Sequence, residues 1–320
     1  MARRPRDTSW PADPEPLPHP VPDNHTHLDA VLAETDAAGW RGRGDERASG
    51  AEQGSRPVDL AVADHLARAA AVGVDRVLTV GCDLPAIAWT LAAVREHPVL
   101  GAVAIHPNEA VLHAGVREVA PDGLEPAPRP HHDVPLDEAL AQVAAAAVEG
   151  RVRAVGETGL DHFRAGERGR SVQREAFRAH LALAKELDLP VQIHDRDAHE
   201  EVLAVLAQDG APERTVFHCF SGDAELARFA VAQGWYLSFA GPVTFTSSGP
   251  LRAALHEVPP GQLLVETDAP YLAPHPARGR PNAPYLMAAT VRAVAAELGE
   301  DLTALCRALE RTTEQVYGPW

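Results

Sequence analysis

Aromatic side chains make up only 5% of this 320-residue chain, so its core must be built mainly from Ala, Val and Leu within a 45% apolar fraction. Lysine is nearly missing: Lys185 is the one lysine, and the other basic residues are arginines. No apolar run reaches the ~18–20 residues that span a bilayer, which excludes a transmembrane helix. Arg3 and Arg4 lead into a Pro-rich polar stretch rather than an apolar one, so no signal peptide is expected. Cys82, Cys219 and Cys306 have no CxxC spacing and leave an odd count, which argues against a disulfide framework. The expectation is a cytoplasmic protein with no membrane contact and no obligate protein partner. Positive charge is also scarce. A formal charge of −16 disfavours a tight, processive grip on a nucleic-acid backbone but leaves room for a small phosphate site.

Several chemistries are absent as well. There is no G-x-S-x-G elbow for a serine hydrolase and no G-x-G-x-x-G after a strand for a dinucleotide. Cys219 adjoins His218, but neighbouring strand residues face opposite ways, so the two do not form a nucleophile–base pair.

What is present is organised around His25-Thr26-His27, which closes a short apolar run. Strand alternation puts both imidazoles on one face, where they can grip a divalent cation, with Asp29 as a possible orienting partner. Glu157, His194, His218 and Asp268 each end another apolar run. Eight short runs are readable as buried parallel strands: 21–25, 76–82, 99–106, 152–157, 190–194, 215–218, 235–239 and 263–268. Between them lie helical stretches, the clearest over 171–188, with Phe177, Leu181, Ala184 and Leu187 on one stripe and Pro190 as the stop.

Eight β/α units in a chain of this length predict an α/β fold, a TIM (β/α)8 barrel of the metal-dependent hydrolase type. A doubly wound open sheet is the alternative, but it would gather its site at one crevice rather than at strand ends along the whole chain. Residues 1–20 read as a disordered Pro-rich tail, and 21–320 as one barrel domain with loop insertions at about 41–57 and 115–135. His131-His132, in the second insertion, read as solvent-exposed loop residues. On one barrel rim, four histidines and two carboxylates suffice for two divalent ions with one carboxylate bridging. Zinc, manganese and magnesium are the candidates, with imidazole favouring the first two. Asp268, at the end of strand 8, is suited to move a proton. Glu266 shares its face one layer deeper and reads as structural.

Six ordered strings carry a family resemblance: Asn24-His25-Thr26-His27-Leu28-Asp29, Ala104-Ile105-His106-Pro107, Gly156-Glu157-Thr158-Gly159-Leu160-Asp161, Ile193-His194-Asp195-Arg196, His218-Cys219-Phe220-Ser221-Gly222 and Glu266-Thr267-Asp268-Ala269-Pro270-Tyr271. Over about residues 21–317 the chain resembles the TatD family of metal-dependent deoxyribonucleases. The resemblance implies an amidohydrolase-type barrel that hydrolyses phosphodiester bonds, with DNA ends or single strands as the expected substrate. It makes His25 and His27 first-metal ligands, Glu157 the bridging and catalytic carboxylate, His194 and His218 second-metal ligands, and Asp268 the strand-8 catalytic acid and ligand. The same motifs offer His106, Arg196 and Ser221 as substrate contacts, joined by Arg278 and Arg280 beyond strand 8.

Two departures bear on the substrate. His162-Phe163 stand where members often carry two tyrosines, and Arg278-Gly279-Arg280-Pro281-Asn282-Ala283-Pro284 lacks the usual acidic residue. The lone lysine lies mid-helix, away from any bridging position, and an acid holds the strand-4 end. That favours a nuclease-like branch over amidases and phosphotriesterases. A metal-dependent amide or ester hydrolase of a small molecule or acyl-tRNA, and a non-catalytic metal-binding protein, are the alternatives.

Overall fold

The computed structural model describes residues 9–38 and 58–320. Eight strands follow one another in a single parallel sheet in the order of the chain: β1 Asp23–Thr26, β2 Val77–Gly81, β3 Leu100–Val103, β4 Val152–Asp161, β5 Val191–Arg196, β6 Thr215–Phe217, β7 Tyr236–Phe239 and β8 Leu263–Val265. Parallel neighbours need a crossover, and helices supply each one. These are α1 Leu28–Ala38, α2 Val58–Ala71, α3 Leu84–Glu96, α4 Pro107–His113, α5 Leu136–Ala147, α6 Glu167–Glu186, α7 His199–Asp209, α8 Ala224–Ala232, α9 Gly249–Leu255, α10 Met287–Leu298 and α11 Leu302–Tyr317. The fold is the expected (β/α)8 barrel. All eight strands fall where the apolar runs place them, β4 running on to Asp161 and β8 stopping at Val265.

Small side chains do most of the filling. Leu78, Val80, Leu100, Ala102, Ala154, Val216, Tyr236 and Leu264, from six strands, meet inside the barrel. Tyr317 of α11 joins them. The wall is sealed by helix stripes of the expected period. Gln173, Ala176, Phe177, His180, Leu181 and Ala184 form the buried face of α6, and Leu305, Leu309, Thr312, Thr313 and Val316 that of α11.

The ring closes by unusual means. Among the described residues no ladder pairs β8 with β1. Instead Asn24 Nδ2 donates to Val265 O, Thr267 N to Asp23 Oδ1 (3.0 Å), His27 N to Ala269 O (2.7 Å) and Asp268 N to His25 O (3.0 Å). Side chains and post-strand backbone thus satisfy what a regular ladder would.

Two expectations about the periphery change. The tail expected over 1–20 is packed from Ser9 onward. Leu17 is buried, its N–H reaches Val72 O at 3.0 Å, and Arg68 holds Pro11 O (2.8 Å) and Asp13. Pro-rich composition lowers the cost of ordering an extended segment, and arginine donors on α2 and α10 satisfy its carbonyls. The insertion at 41–57 lies outside the described residues. The insertion at 115–135 is mainly loop, but His132 is buried rather than exposed. Its Nε2 meets Glu109 Oε2 of α4 at 2.6 Å, and His131 Nε2 meets the same oxygen at 3.2 Å.

Candidate metal centre

Glu157 sits within β4 with its two oxygens facing two separate imidazole pairs. Oε1 lies 2.5 Å from His194 Nδ1 and 2.7 Å from His218 Nε2. Oε2 faces His25 Nε2 and His27 Nε2, each at 3.7 Å. Gly159, two residues on, has φ +142°, and a Cβ there would fall 2.0 Å from His194 O. Only glycine lets β4 and β5 approach closely enough to bring Glu157 and His194 together. Asp268 completes the first side, its Oδ1 3.4 Å from His27 Nε2 and 3.8 Å from His25 Nε2. It lies three residues past β8 with a left-handed φ of 50°.

The other nitrogen of each ring shows which atom faces the centre. His25 Nδ1 meets Gln192 Oε1 at 3.1 Å, while Gln192 Nε2 donates to Asn24 O and Tyr317 Oη, both at 2.8 Å. The amide orientation is therefore fixed by its acceptors, His25 Nδ1 must carry the proton, and Nε2 has a lone pair aimed inward. His218 has Nδ1 3.2 Å from Glu266 Oε1 and Nε2 2.7 Å from Glu157 Oε1, and against burial these two carboxylates hold the ring well above its ordinary value. His27 is held more loosely, Nδ1 resting 4.0 Å from Cys82 Sγ rather than on Asp29.

Protonation reflects a site short of positive charge. Burial presses the imidazoles toward neutrality, yet Asp268 outweighs it at His27, raising that ring to about 10. At His194 the Asp161 and Glu157 carboxylates overcome burial and raise it to about 9. Glu157 is driven well below the ordinary range against its own burial, chiefly by His218 and His106. His25 stays depressed by burial and by its stacked neighbour His218, with ring centroids 4.0 Å apart. His25 Nε2, His194 Nε2 and Glu266 Oε2 are buried without a hydrogen-bond partner. The unpartnered lone pairs of His25 Nε2 and Glu266 Oε2 fit a divalent cation. Three donor groups overlap there: His25 with His27 and Glu157; His106 with Glu157 and His194; and His25 with His218 and Glu266.

The family model described as "TatD related DNase" matches residues 22–318 of this sequence. The chain belongs to that family. A TatD relative from Mycobacterium tuberculosis, named as a metal-dependent hydrolase, is 41% identical over 85% of this chain and 88% of its own. The "3'-5' ssDNA/RNA exonuclease TatD" of Cronobacter sakazakii is 36% identical over 74% of this chain and 84% of its own. Among solved structures, the TatD homologue YJJV of Escherichia coli K12 has a TM-score of 0.72 at 24% identity, covering 94% and 98% of the two chains. This TatD chain is therefore a metal-dependent hydrolase.

Of the residues expected at the centre of a TatD site, His25, His27, Glu157, His194, His218 and Asp268 converge. His106 stands beside them, its Nε2 3.6 Å from Glu157 Oε1. The outer contacts fare differently. Ser221 Oγ is bonded to Asp195 O at 3.0 Å. The Arg196 guanidinium lies over Phe163 (4.0 Å) and that of Arg278 over Phe245 (4.5 Å). Arg280 is not a rim contact: it donates to Ser9 O, Ser9 Oγ and Trp10 O, tying down the N-terminal segment.

Sequence reading missed Gln192 and Asp161, and it gave Glu266 only a structural role although this carboxylate orients His218. Asp161 Oδ2 lies 3.4 Å from His194 Nε2. Gln192 is a polar residue inside a buried strand, two positions before His194 on the same face, and that pattern was the available signal.

Proposed function

We propose that this protein hydrolyses phosphodiester bonds of DNA, at ends or in single strands, using two divalent ions held by His25, His27, Asp268 and Glu157 on one side and by Glu157, His194 and His218 on the other. The observation that carries this reading is the division of Glu157, one oxygen to each imidazole pair, as a bridging carboxylate requires. When bound, the ions would supply Lewis acidity, neutralising phosphate charge and bringing the pKa of water down to ~7. The chain's own groups do the rest. Gln192 and Glu266 fix the rings of His25 and His218. Asp268 Oδ1, at the mouth of the first side, takes the proton of the attacking water and returns it to the leaving oxygen. Tyr271, 56% exposed and 5.8 Å from the His27 ring, offers a face on which a base can stack.

The relative named as a 3'-5' ssDNA/RNA exonuclease supports a nucleic-acid substrate. Three free cysteines fit a cytoplasmic location, and no helix among the described residues is long and apolar enough to cross a membrane. A small-molecule amide or ester hydrolase is favoured by one observation, the diversion of Arg280 away from the rim.

Incubating metal-loaded protein with end-labelled single- and double-stranded DNA and RNA separates the two. Release of nucleotides from single strands is the expected result. Intact nucleic acid alongside turnover of simple esters or amides would support the alternative.

A further inference from the structure

Just beyond Asp268 the chain puts two large apolar side chains on its outside. Asp268, Ala269 and Pro270 are buried, as are Ala273 and Pro274, yet Tyr271 is 56% and Leu272 38% exposed. An exposed leucine is ordinary by itself. Leu272 is also bent into the left-handed region, with φ 56°, where glycine or asparagine sits more easily than a bulky side chain. Neither its exposure nor its backbone serves stability, and strain kept beside a reactive site points to function. The surroundings hold the turn in place. Leu272 O approaches Gly241 so closely that a Cβ on that glycine would fall 1.9 Å from it. Tyr271 N donates to Asp268 O at 2.9 Å, Asn282 Nδ2 donates to Tyr271 O, and His275 N donates to Thr244 Oγ1 at 2.8 Å. The two side chains therefore stand on a clamped loop beside the first cation set, the Tyr271 ring 5.8 Å from that of His27.

We propose that Leu272 is a wedge that enters between the terminal base of a single strand, stacked on Tyr271, and the base behind it. The inference rests on the phosphodiesterase reading for its substrate. Bases in a strand stack on one another, and a linkage near the end reaches the ions only if the last base is parted from its neighbour. An apolar side chain replaces the lost stacking surface and asks for no particular base. Charge gives such a contact weight. With a formal charge of −16, this chain has little to offer a phosphate backbone away from the ions, so affinity for a strand leans on its bases. A wedge also selects its substrate, because an end that must be unpaired as well as unstacked costs more to open. Single strands are favoured over blunt duplexes on that ground.

The test uses full-length metal-loaded protein and single-stranded oligonucleotides with phosphorothioate end linkages, which resist cleavage during a binding measurement. One probe ends in ordinary nucleotides, and the other carries an abasic sugar at each end. Wild-type protein is expected to bind the first about 10-fold more tightly, the worth of one stacked base. Leu272→Asn suits the left-handed backbone but offers no apolar surface. It should bring that ratio down several-fold with a melting midpoint no lower than that of the wild type, while Leu272→Met, still apolar, should keep the ratio. Equal affinity for the two probes in the wild type overturns the proposal, as does an undiminished ratio in Leu272→Asn or a loss in Leu272→Met as large as in Leu272→Asn. A midpoint lowered by several degrees in Leu272→Asn overturns it too, since the leucine would then be there for packing. Cleavage of ordinary strands is followed separately. If strands are cut but the ratio is absent, the wedge fails and the phosphodiesterase reading stands. If the ratio behaves as expected and no strand is cut, that reading fails and the base contact stands.

Discussion

Two clusters in this molecule have nearly the same composition, histidines around a glutamate, and different chemistry. One surrounds Glu157 on the barrel rim. The other joins Glu109 of α4 to His131 and His132 of the second insertion, and its ligand atoms are as close together as those of the first. The difference lies in what each ring does with its far nitrogen. His132 Nδ1 accepts the Arg129 N–H at 2.7 Å, so Nε2 bears the proton and donates it to Glu109. Burial would raise the Glu109 carboxyl, but His132 and His131 outweigh it and hold the group below its ordinary value. This cluster is a brace that seats the insertion on α4. In the Glu157 cluster, the Gln192 carbonyl takes the outer proton of His25 and leaves its Nε2 lone pair pointing inward. Proximity of donor atoms does not make a metal site. The loading of the imidazoles does.

The largest effect should come from Glu157→Gln. Because each oxygen serves one imidazole pair, elemental analysis after metal loading should show both ions weakened and turnover abolished, against about two equivalents in the wild type. One equivalent in the wild type, unmoved by excess metal, would sink the two-ion reading. Asp268→Asn preserves shape and an oxygen donor while removing the base. It should keep at least one ion yet lose ~10²–10⁴ in turnover. Near wild-type cleavage with metals in place would remove Asp268 from the chemistry.

A subtler contrast is Gln192→Leu, which takes away the acceptor that sets His25. Affinity for the first ion should weaken ~10–100-fold with the second little changed, as read by competition with a chelator. Equal loss at both ions would mean that Gln192 acts through general stability instead.

Titration sharpens the same comparison. In metal-free protein His27 and His194 are raised to about 10 and about 9 from an ordinary 6.5. Their contribution to stability is present below pH 6.5 and is lost as pH rises through those values. Glu157 works the other way, its contribution being present above 4.5 and lost as pH falls through its depressed value. Metal-free protein should therefore soften in the alkaline range, metal-loaded protein should not, and loading at pH 7–8 should release protons to an indicator. The smallest effect is expected at the brace. Glu109→Ala should lower the denaturation midpoint by the equivalent of about 1–3 kcal/mol without altering metal content. Any loss of metal would show that the two clusters are not separate.

How far the sequence revealed this follows from what each residue must do alone. His25, His27, Glu157, His194, His218 and Asp268 were legible because each is a metal-binding type ending an apolar run, and a barrel sends every such end to one rim. Gln192 was not, because its role depends on a ring that packs onto it from β1, 167 residues away in the chain. His132 was misread for a similar reason. Nothing local announces that Glu109, on α4, will draw a polar loop inward. Arg280 looked like a phosphate fork because basic residues near a rim usually are. Its partners, Ser9 and Trp10, lie at the opposite end of the chain.

The seam between the first and last strands has a consequence for how the protein comes into being. His25 and His27 leave the ribosome early, while Asp268 waits until nearly the whole barrel has been translated. Because no ladder among the described residues joins β8 to β1, the two edges are held by backbone contacts of His27 with Ala269 and of Asp268 with His25. A chain stopped before β8 carries the imidazoles but neither the acid nor the closed rim.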